Sequence, residues 1–138
     1  MSAISYVLDS NILIRLLRKA PNPAISKNFR QAVLQNAKMV IPQVVHYEML
    51  RGLLYSNAKV QEAAYRMFCA RYEIGRLTDA TWESAAAIYS DLRKGGQTVS
   101  DDDILIGAFC IENNYTLVTS NTKDFVNMTG IKIVDWAL

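Results

Sequence analysis

The sequence is short of the side chains that usually carry soft-metal or nucleophilic chemistry. Its 138 residues include one histidine, His46, and two cysteines, Cys69 and Cys110. A lone histidine leaves histidine-pair cleavage of RNA, or a Ser-His-Asp triad, with little to work with. The cysteines stand in no metal-ligand spacing and read as reduced core residues. Long apolar runs are missing too. The longest, Ile104 to Ile111, falls far short of a membrane span. Asp9 interrupts the first apolar run, so no secretory leader is legible and a cytoplasmic location without membrane contact is expected. There is no P-loop and no G-x-G-x-x-G. A phosphatase with an aspartyl nucleophile would want an acid two residues after Asp9, where Asn11 stands. A phospho-acceptor receiver domain normally carries a further acidic pair near its first strand, and Met1 to Val7 holds none. Repeats, linkers and low-complexity tracts are absent.

What is present suits one globular domain spanning residues 1–138, with 51% hydrophobic and 20% charged residues. The net charge of +2 hides an asymmetry. Residues 1–71 hold ten Lys/Arg against Asp9, Glu48 and Glu62, a net +7; residues 72–138 hold five against ten acids, a net −5. A basic half fits a nucleic-acid or acidic-peptide surface, although solvated helix faces give the same count.

The chain alternates between two periodicities. Ile4 to Leu8 reads as a strand ending on Asp9, and a helix runs from Ile12 to Lys19 until Pro21-Asn22-Pro23 breaks it. A second helix carries Ile25, Phe29, Ala32 and Val33. Met39 to Pro42 is a short buried strand. Gln43 to Tyr55 is helical, with Val44, Tyr47, Leu50, Leu53 and Leu54 as its apolar arc. Helix Lys59 to Cys69 is expected to pack through Val60, Ala63, Ala64 and Met67. Tyr72 to Leu77 alternates as a strand does. Thr78 caps a helix with Trp82, Ala85, Ala86, Tyr89 and Leu92 inward, stopped by Gly95-Gly96. Residues 104–111 are apolar on all sides, as in a buried central helix. Tyr115 to Ser120 and Ile131 to Val134 are strands, with a turn at residues 122–125. Strands alternating with helices predict an α/β fold around a mainly parallel sheet.

Ligands of such sheets sit at the carboxyl ends of the strands. Asp9 and Asn121 stand at predicted strand ends, and Glu48 and Asp103 near the starts of helices. Asp9 or Ser10 could simply cap the next helix. Likewise Ser100-x-x-Asp103 fits a capping box, and Glu48 could pair with Arg51. Three consecutive aspartates, Asp101 to Asp103, exceed what a cap needs. Glu48 has Gly52, and Asp103 has Gly107, one turn on. A glycine inside a helix costs about 0.8–1 kcal/mol relative to alanine, so each pair predicts a carboxylate beside bare backbone. If these acids converge, they cannot all stay ionised without a cation. Oxygen ligands without cysteine or histidine select Mg²⁺, or Mn²⁺, over zinc. Ser10 or Asn11 can then cap the helix while Asp9 faces the ion. That constellation suits metal-assisted hydrolysis of a phosphodiester.

Leu8-Asp9-Ser10-Asn11, Glu48-Met49-Leu50-Arg51-Gly52, the stretch Asp101 to Ala108, and Val118-Thr119-Ser120-Asn121 with Asp124-Phe125 resemble, in order and spacing, the motifs of PIN-domain ribonucleases. They are similar in particular to the VapC toxins of toxin–antitoxin pairs, as is the closing Gly130 to Trp136. The resemblance runs from about residue 5 to 136. It implies a three-layer PIN-like fold with a central, mainly parallel sheet flanked by helices. It also implies a Mg²⁺ site in which Asp9 and Asp103 bind metal and Glu48 is the second catalytic acid. Asp101 matches an additional acid of many members, and Asn11 and Thr119 match polar positions that orient the acids or a water. Asn121 falls where some members have a fourth acid, a place that Asp124 could fill. The implied activity is an endoribonuclease leaving a 3′-hydroxyl and a 5′-phosphate. The implied partners are an RNA substrate, a VapB-type antitoxin whose C-terminal segment lies in the toxin's groove, and a second copy of the chain in a homodimer. The alternatives are a non-catalytic RNA- or protein-binding PIN module and a structure-specific DNA nuclease using the same acids.

Overall fold

The computed structural model describes residues 4–138, so the first three residues of the expected domain lie outside it. Five strands form one sheet: β1 (Ser5–Leu8), β2 (Lys38–Pro42), β3 (Glu73–Gly75), β4 (Thr116–Val118) and β5 (Lys132–Val134). Their order is β3-β2-β1-β4-β5 and every pair is parallel. Parallel strands are covered on both faces, which is why Val7, Leu8, Val40, Ile41, Leu117 and Val118 are wholly buried.

The helices among the described residues are α1 (Ser10–Leu17), α2 (Pro23–Leu34), α3 (Gln43–Tyr55), α4 (Lys59–Arg71), α5 (Asp79–Lys94), α6 (Asp101–Asn113) and α7 (Thr122–Phe125). Right-handed crossovers put α1–α4 on one face of the sheet and α5–α7 on the other. Contacts follow that division: α1 packs on α2, α3 and α4, while α6 packs on α5 and α7. The exception is α3 against α6, which meet each other. The sheet order reverses between β1 and β4, the point where open α/β sheets leave a crevice at their carboxyl edge. No helix among the described residues is long and apolar enough to cross a membrane.

Three helices bury only part of the faces their patterns predict. In α3 the buried residues are Val45 and Met49, while Tyr47 and Leu54 are more than half exposed. In α4 they are Tyr65 and Phe68, with Val60 and Met67 outside. In α5 Trp82 and Tyr89 face solvent, and Thr81, Ala85 and Leu92 face in. Each helix carries two candidate apolar stripes, and the core takes the one beside the sheet.

Candidate active site

The site begins as a continuation of the β1/β4 ladder. Beyond the last paired residues, the Asp9 N–H donates to the Val118 carbonyl (3.0 Å) and the Thr119 N–H to the Val134 carbonyl (3.1 Å). Asp9 and Thr119 are thereby set side by side at the carboxyl edge, and both are buried. Asp9 is also the N-cap of α1, its Oδ1 accepting from the Ser10 N–H at 2.8 Å. The cap therefore falls to Asp9, one of the two candidates, and neither Ser10 nor Asn11 relieves it of that role. Its Oδ2 accepts from the Thr119 hydroxyl (2.9 Å) and from Asn11 Nδ2 (3.2 Å). A carboxylate offers about four acceptor sites, so three donors leave room for one more ligand.

Asn11 and Thr119 are bonded to each other as well as to the acid. Asn11 Nδ2 donates to Thr119 Oγ1 (3.2 Å), and Asn11 Oδ1 accepts from the Ser120 N–H (3.1 Å). Thr119 Oγ1 also accepts from the Asn121 N–H (3.1 Å). Burial pushes the Asp9 carboxyl above its ordinary value. The bonds from Thr119, Ser10 and Asn11 oppose that shift, and the charge of Asp124 adds to it.

Glu48 and Asp103 arrive from the two helices that meet across the sheet edge. The Ser100 hydroxyl caps α6 by accepting from the Asp103 N–H (3.3 Å). Burial is the largest influence on both acids. Asp103 is pushed up to about 6, helped by the charges of Asp9 and Asp124. Glu48 is pushed up to about 7 by burial, contact with Asp102 and the charges of Asp9, Asp102 and Asp103. Its Oε1 is buried and has no hydrogen-bond partner. An acceptor left bare in the interior costs about 1–3 kcal/mol, and such atoms in functional clefts are where a ligand is expected.

The structure thus gathers Asp9, Glu48 and Asp103 at one edge, with Asp124 close enough to act on Asp9 and Asp103, together with Asn11 and Thr119. It does not bring Asp101 there: that side chain is exposed and lines a groove between α5 and α6 with Trp82, Tyr89 and Leu105. Its neighbour Asp102 stands at the cleft instead, 3.4 Å from the Arg51 guanidinium. Asn121 enters through its backbone, and its side chain is exposed. Gly52 has open space beside it, as a bare patch near Glu48 requires. Gly107 does not: a Cβ there would collide with Met128 Sδ, so this glycine serves packing against the residues after α7.

A second network supports the strand ends and was missed in the sequence. Arg15 Nη2 donates to Ser120 Oγ (2.6 Å), and Ser120 Oγ donates to Asp135 Oδ1 (2.9 Å), which also accepts from the Ala137 N–H (2.9 Å). Asp135 follows β5 as Asp9 follows β1. The strand-end rule that singled out Asp9 would have found it too.

Residues 6–131 match the family described as PIN domain. This chain belongs to the PIN-domain family. Nucleases of that family are generally dependent on a divalent metal. Among curated proteins, this PIN domain is 26% identical over 132 residues to Ribonuclease VapC2 of Rickettsia felis, covering 95% of this chain and 97% of that one. It is 25% identical over 139 residues to the tRNA(fMet)-specific endonuclease VapC of Shigella flexneri, covering 97% and 99%. Its fold is similar to that of a chain in the structure of VapBC2 from Rickettsia felis bound to a promoter DNA fragment, with a TM-score of 0.86 at 23% identity over 96% of this chain and 99% of that one. DNA-bound VapBC from Salmonella typhimurium gives 0.85 at 24% identity, over 96% and 98%.

The side chains of this PIN domain fit a hard divalent ion by chemistry. The donors are all oxygens, burial and then neighbouring charge raise the acids, and one acceptor is bare. Among the described residues, no three His, Cys, Asp or Glu side chains are drawn close enough to grip an ion by themselves. Mg²⁺ tolerates that arrangement, since it usually keeps several waters and takes only one or two carboxylates.

Proposed function

We propose that this chain is a single PIN domain acting in the cytoplasm as a Mg²⁺-dependent endoribonuclease, the toxin of a VapBC-type pair. The observation that carries the reading is the convergence of Asp9, Glu48 and Asp103 from the end of β1, α3 and α6 onto one sheet edge, where burial raises all three carboxyls and the charge of Asp9 raises the other two further. Ribonuclease and endonuclease are the names of relatives that match it over nearly their whole length.

Asp9 and Asp103 would hold the metal, directly or through water, and Mn²⁺ would suit the same oxygens. The ion would supply a water of lowered pKa and neutralise the scissile phosphate. The protein's own groups do the rest. Thr119 and Asn11 hold Asp9 in one rotamer. Glu48, with a pKa of about 7, is matched to receive a proton from the attacking water near neutral pH through its bare Oε1. Attack by water leaves a 3′-hydroxyl and a 5′-phosphate. The Lys and Arg residues of the first half would contact RNA phosphates, making binding salt-dependent. A VapB-type antitoxin is the expected partner, because similar folds are found in VapBC complexes, and the resemblance to VapC toxins adds a second copy of the chain.

The test is induced expression of the chain and of Asp9→Asn, with RNA ends mapped in each, and cleavage in vitro with and without EDTA. Wild type cuts RNA in Mg²⁺ and stops in EDTA, and Asp9→Asn is at least about 100-fold slower with its fold intact. Full activity of Asp9→Asn would sink the assignment. RNA bound but never cut would favour the non-catalytic module, and preferential cutting of DNA the DNA-nuclease reading.

A further inference from the structure

The turn of α3 that delivers Glu48 inward also sends Tyr47 outward, where 60% of it is exposed. Its ring is not bare: the Arg51 guanidinium, one turn on, lies over it with the carbon 4.9 Å from the ring centroid. The same guanidinium reaches Asp102 of α6 at 3.4 Å. Arg51 therefore spans from the Tyr47 ring to the residue beside Asp103, and the ring stands at the rim of the acid cleft. Tyr55 and Tyr89, also exposed, lack that position. Tyr55, at the end of the same helix, is 95% exposed and lies two turns beyond Glu48. Tyr89 stacks with Arg93, but within α5. Open space beside Gly52 leaves α3 uncovered next to Glu48.

We propose that Tyr47 and Arg51 form a stacking subsite for one unpaired nucleobase of single-stranded RNA, at the rim of the acid cleft. The proposal rests on the ribonuclease reading for the identity of the ligand. An aromatic ring backed by a cation is a recurrent platform for bases that have left a duplex, because every base offers a π-face and a guanidinium stacks as well as pairs. Charge agrees: Arg51 belongs to the basic half of the chain, and its exposed pair with Asp102 is weak enough for a phosphate to displace. A base held there would hold its neighbouring phosphate near Glu48 and Asp103. The subsite thus selects unpaired over duplex RNA without reading sequence.

The test uses the full chain carrying Asp9→Asn, so that RNA is bound and not consumed, with short fluorescein-labelled oligoadenylate, oligouridylate and a blunt RNA duplex as probes. Fluorescence anisotropy reads affinity. Tyr47→Ala weakens oligoadenylate binding about tenfold, whereas Tyr47→Phe and Tyr47→Trp stay within about twofold of the parent. Arg51→Met weakens binding and makes its salt dependence shallower. Tyr55→Ala has no effect, and duplex binding is indifferent to position 47. An unchanged affinity in Tyr47→Ala, or an equal loss in Tyr55→Ala, overturns the subsite while leaving the ribonuclease reading intact. A parent that binds no RNA overturns both. RNA bound through Tyr47 by a wild-type chain that never cuts it overturns the ribonuclease reading alone.

Discussion

At the scale of single residues, the site is a problem of burying charge. Asp9 is the clearest case, because its carboxylate is held by a hydroxyl that serves three partners. Thr119 Oγ1 donates to Asp9 Oδ2 and accepts from Asn11 Nδ2 and from the Asn121 N–H. Thr119→Val keeps the shape and removes all three bonds. It leaves a buried carboxylate oxygen with one donor fewer and a backbone N–H without its acceptor, at a cost of about 2–3 kcal/mol. It also removes the strongest influence opposing the upward shift of the Asp9 carboxyl. Urea unfolding should show the loss in midpoint, and cleavage should need more Mg²⁺ and a higher pH. Thr119→Ser should restore most of both. This role was legible only in part: Val118-Thr119-Ser120-Asn121 pointed to the place, whereas three partners on one hydroxyl follow from the register of β4 against β1. Asp102 was passed over in favour of Asp101 for a similar reason. Within Asp101-Asp102-Asp103 the sequence cannot say which acid faces α3, since that depends on how α6 is rotated against it.

At the scale of elements, the order of strands and helices was readable because β periods and helix breakers are local. Pro21-Asn22-Pro23, Pro42 and Gly95-Gly96 all fall at element boundaries or in the connections between elements. The buried face was readable for α2, where Ile25 and Ala32 are buried and Phe29 and Val33 pack on the core, and for α6, but only in part for α3, α4 and α5. Of the arc Val44, Tyr47, Leu50, Leu53 and Leu54, α3 packs Val44, Leu50 and Leu53 only partly against the core and leaves Tyr47 and Leu54 outside, because it buries Val45 and Met49, a setting that points Glu48 into the cleft. The two glycines show the same limit, since identical acid-then-glycine spacing conceals different surroundings. Gly52 meets nothing, so Gly52→Ala should stabilise the protein by about 0.5–1 kcal/mol through helix propensity and a less flexible unfolded chain. Its added methyl narrows the open side of Glu48, so RNA cleavage should fall while stability rises. Gly107→Ala forces Met128 to move and should destabilise by about 1–3 kcal/mol despite the same propensity gain. Melting curves and initial rates on the two variants separate these outcomes. Two stabilised proteins, or two destabilised ones, would contradict the difference in surroundings.

For the whole molecule, a fold that holds Asp9, Glu48, Asp102, Asp103 and Asp124 around one sheet edge, with Arg51 as the cation paired to Asp102, is held under electrostatic tension. The consequence for stability has a definite sign. Glu48 and Asp103 have folded pKa values of about 7 and about 6, above the 4.5 and 3.8 of the unconstrained groups. Between about pH 4 and pH 7 the folded chain therefore binds more protons than the unfolded one, and stability falls as pH rises. The stabilisation is complete below the unfolded values and is lost as pH passes the folded ones. Both groups are partly solvated, so each contributes only about 1 kcal/mol after screening, which corresponds to a combined drop in Tm of roughly 5–10 °C between pH 5 and pH 8 in the presence of EDTA. A divalent ion favours the ionised acids and should return more stability at pH 8 than at pH 5. Glu48→Gln removes one of the titrating groups. It should flatten the pH dependence in EDTA, raise Tm at pH 8 and weaken the response to Mg²⁺ while abolishing cleavage. Calorimetry of the wild type and Glu48→Gln, each at both pH values with and without Mg²⁺, measures all of these together. A wild-type Tm in EDTA that climbs from pH 5 to pH 8 would mean that the acids are paired and hydrogen-bonded well enough to favour ionisation in the fold, and the case for a cation among them would lose its electrostatic basis.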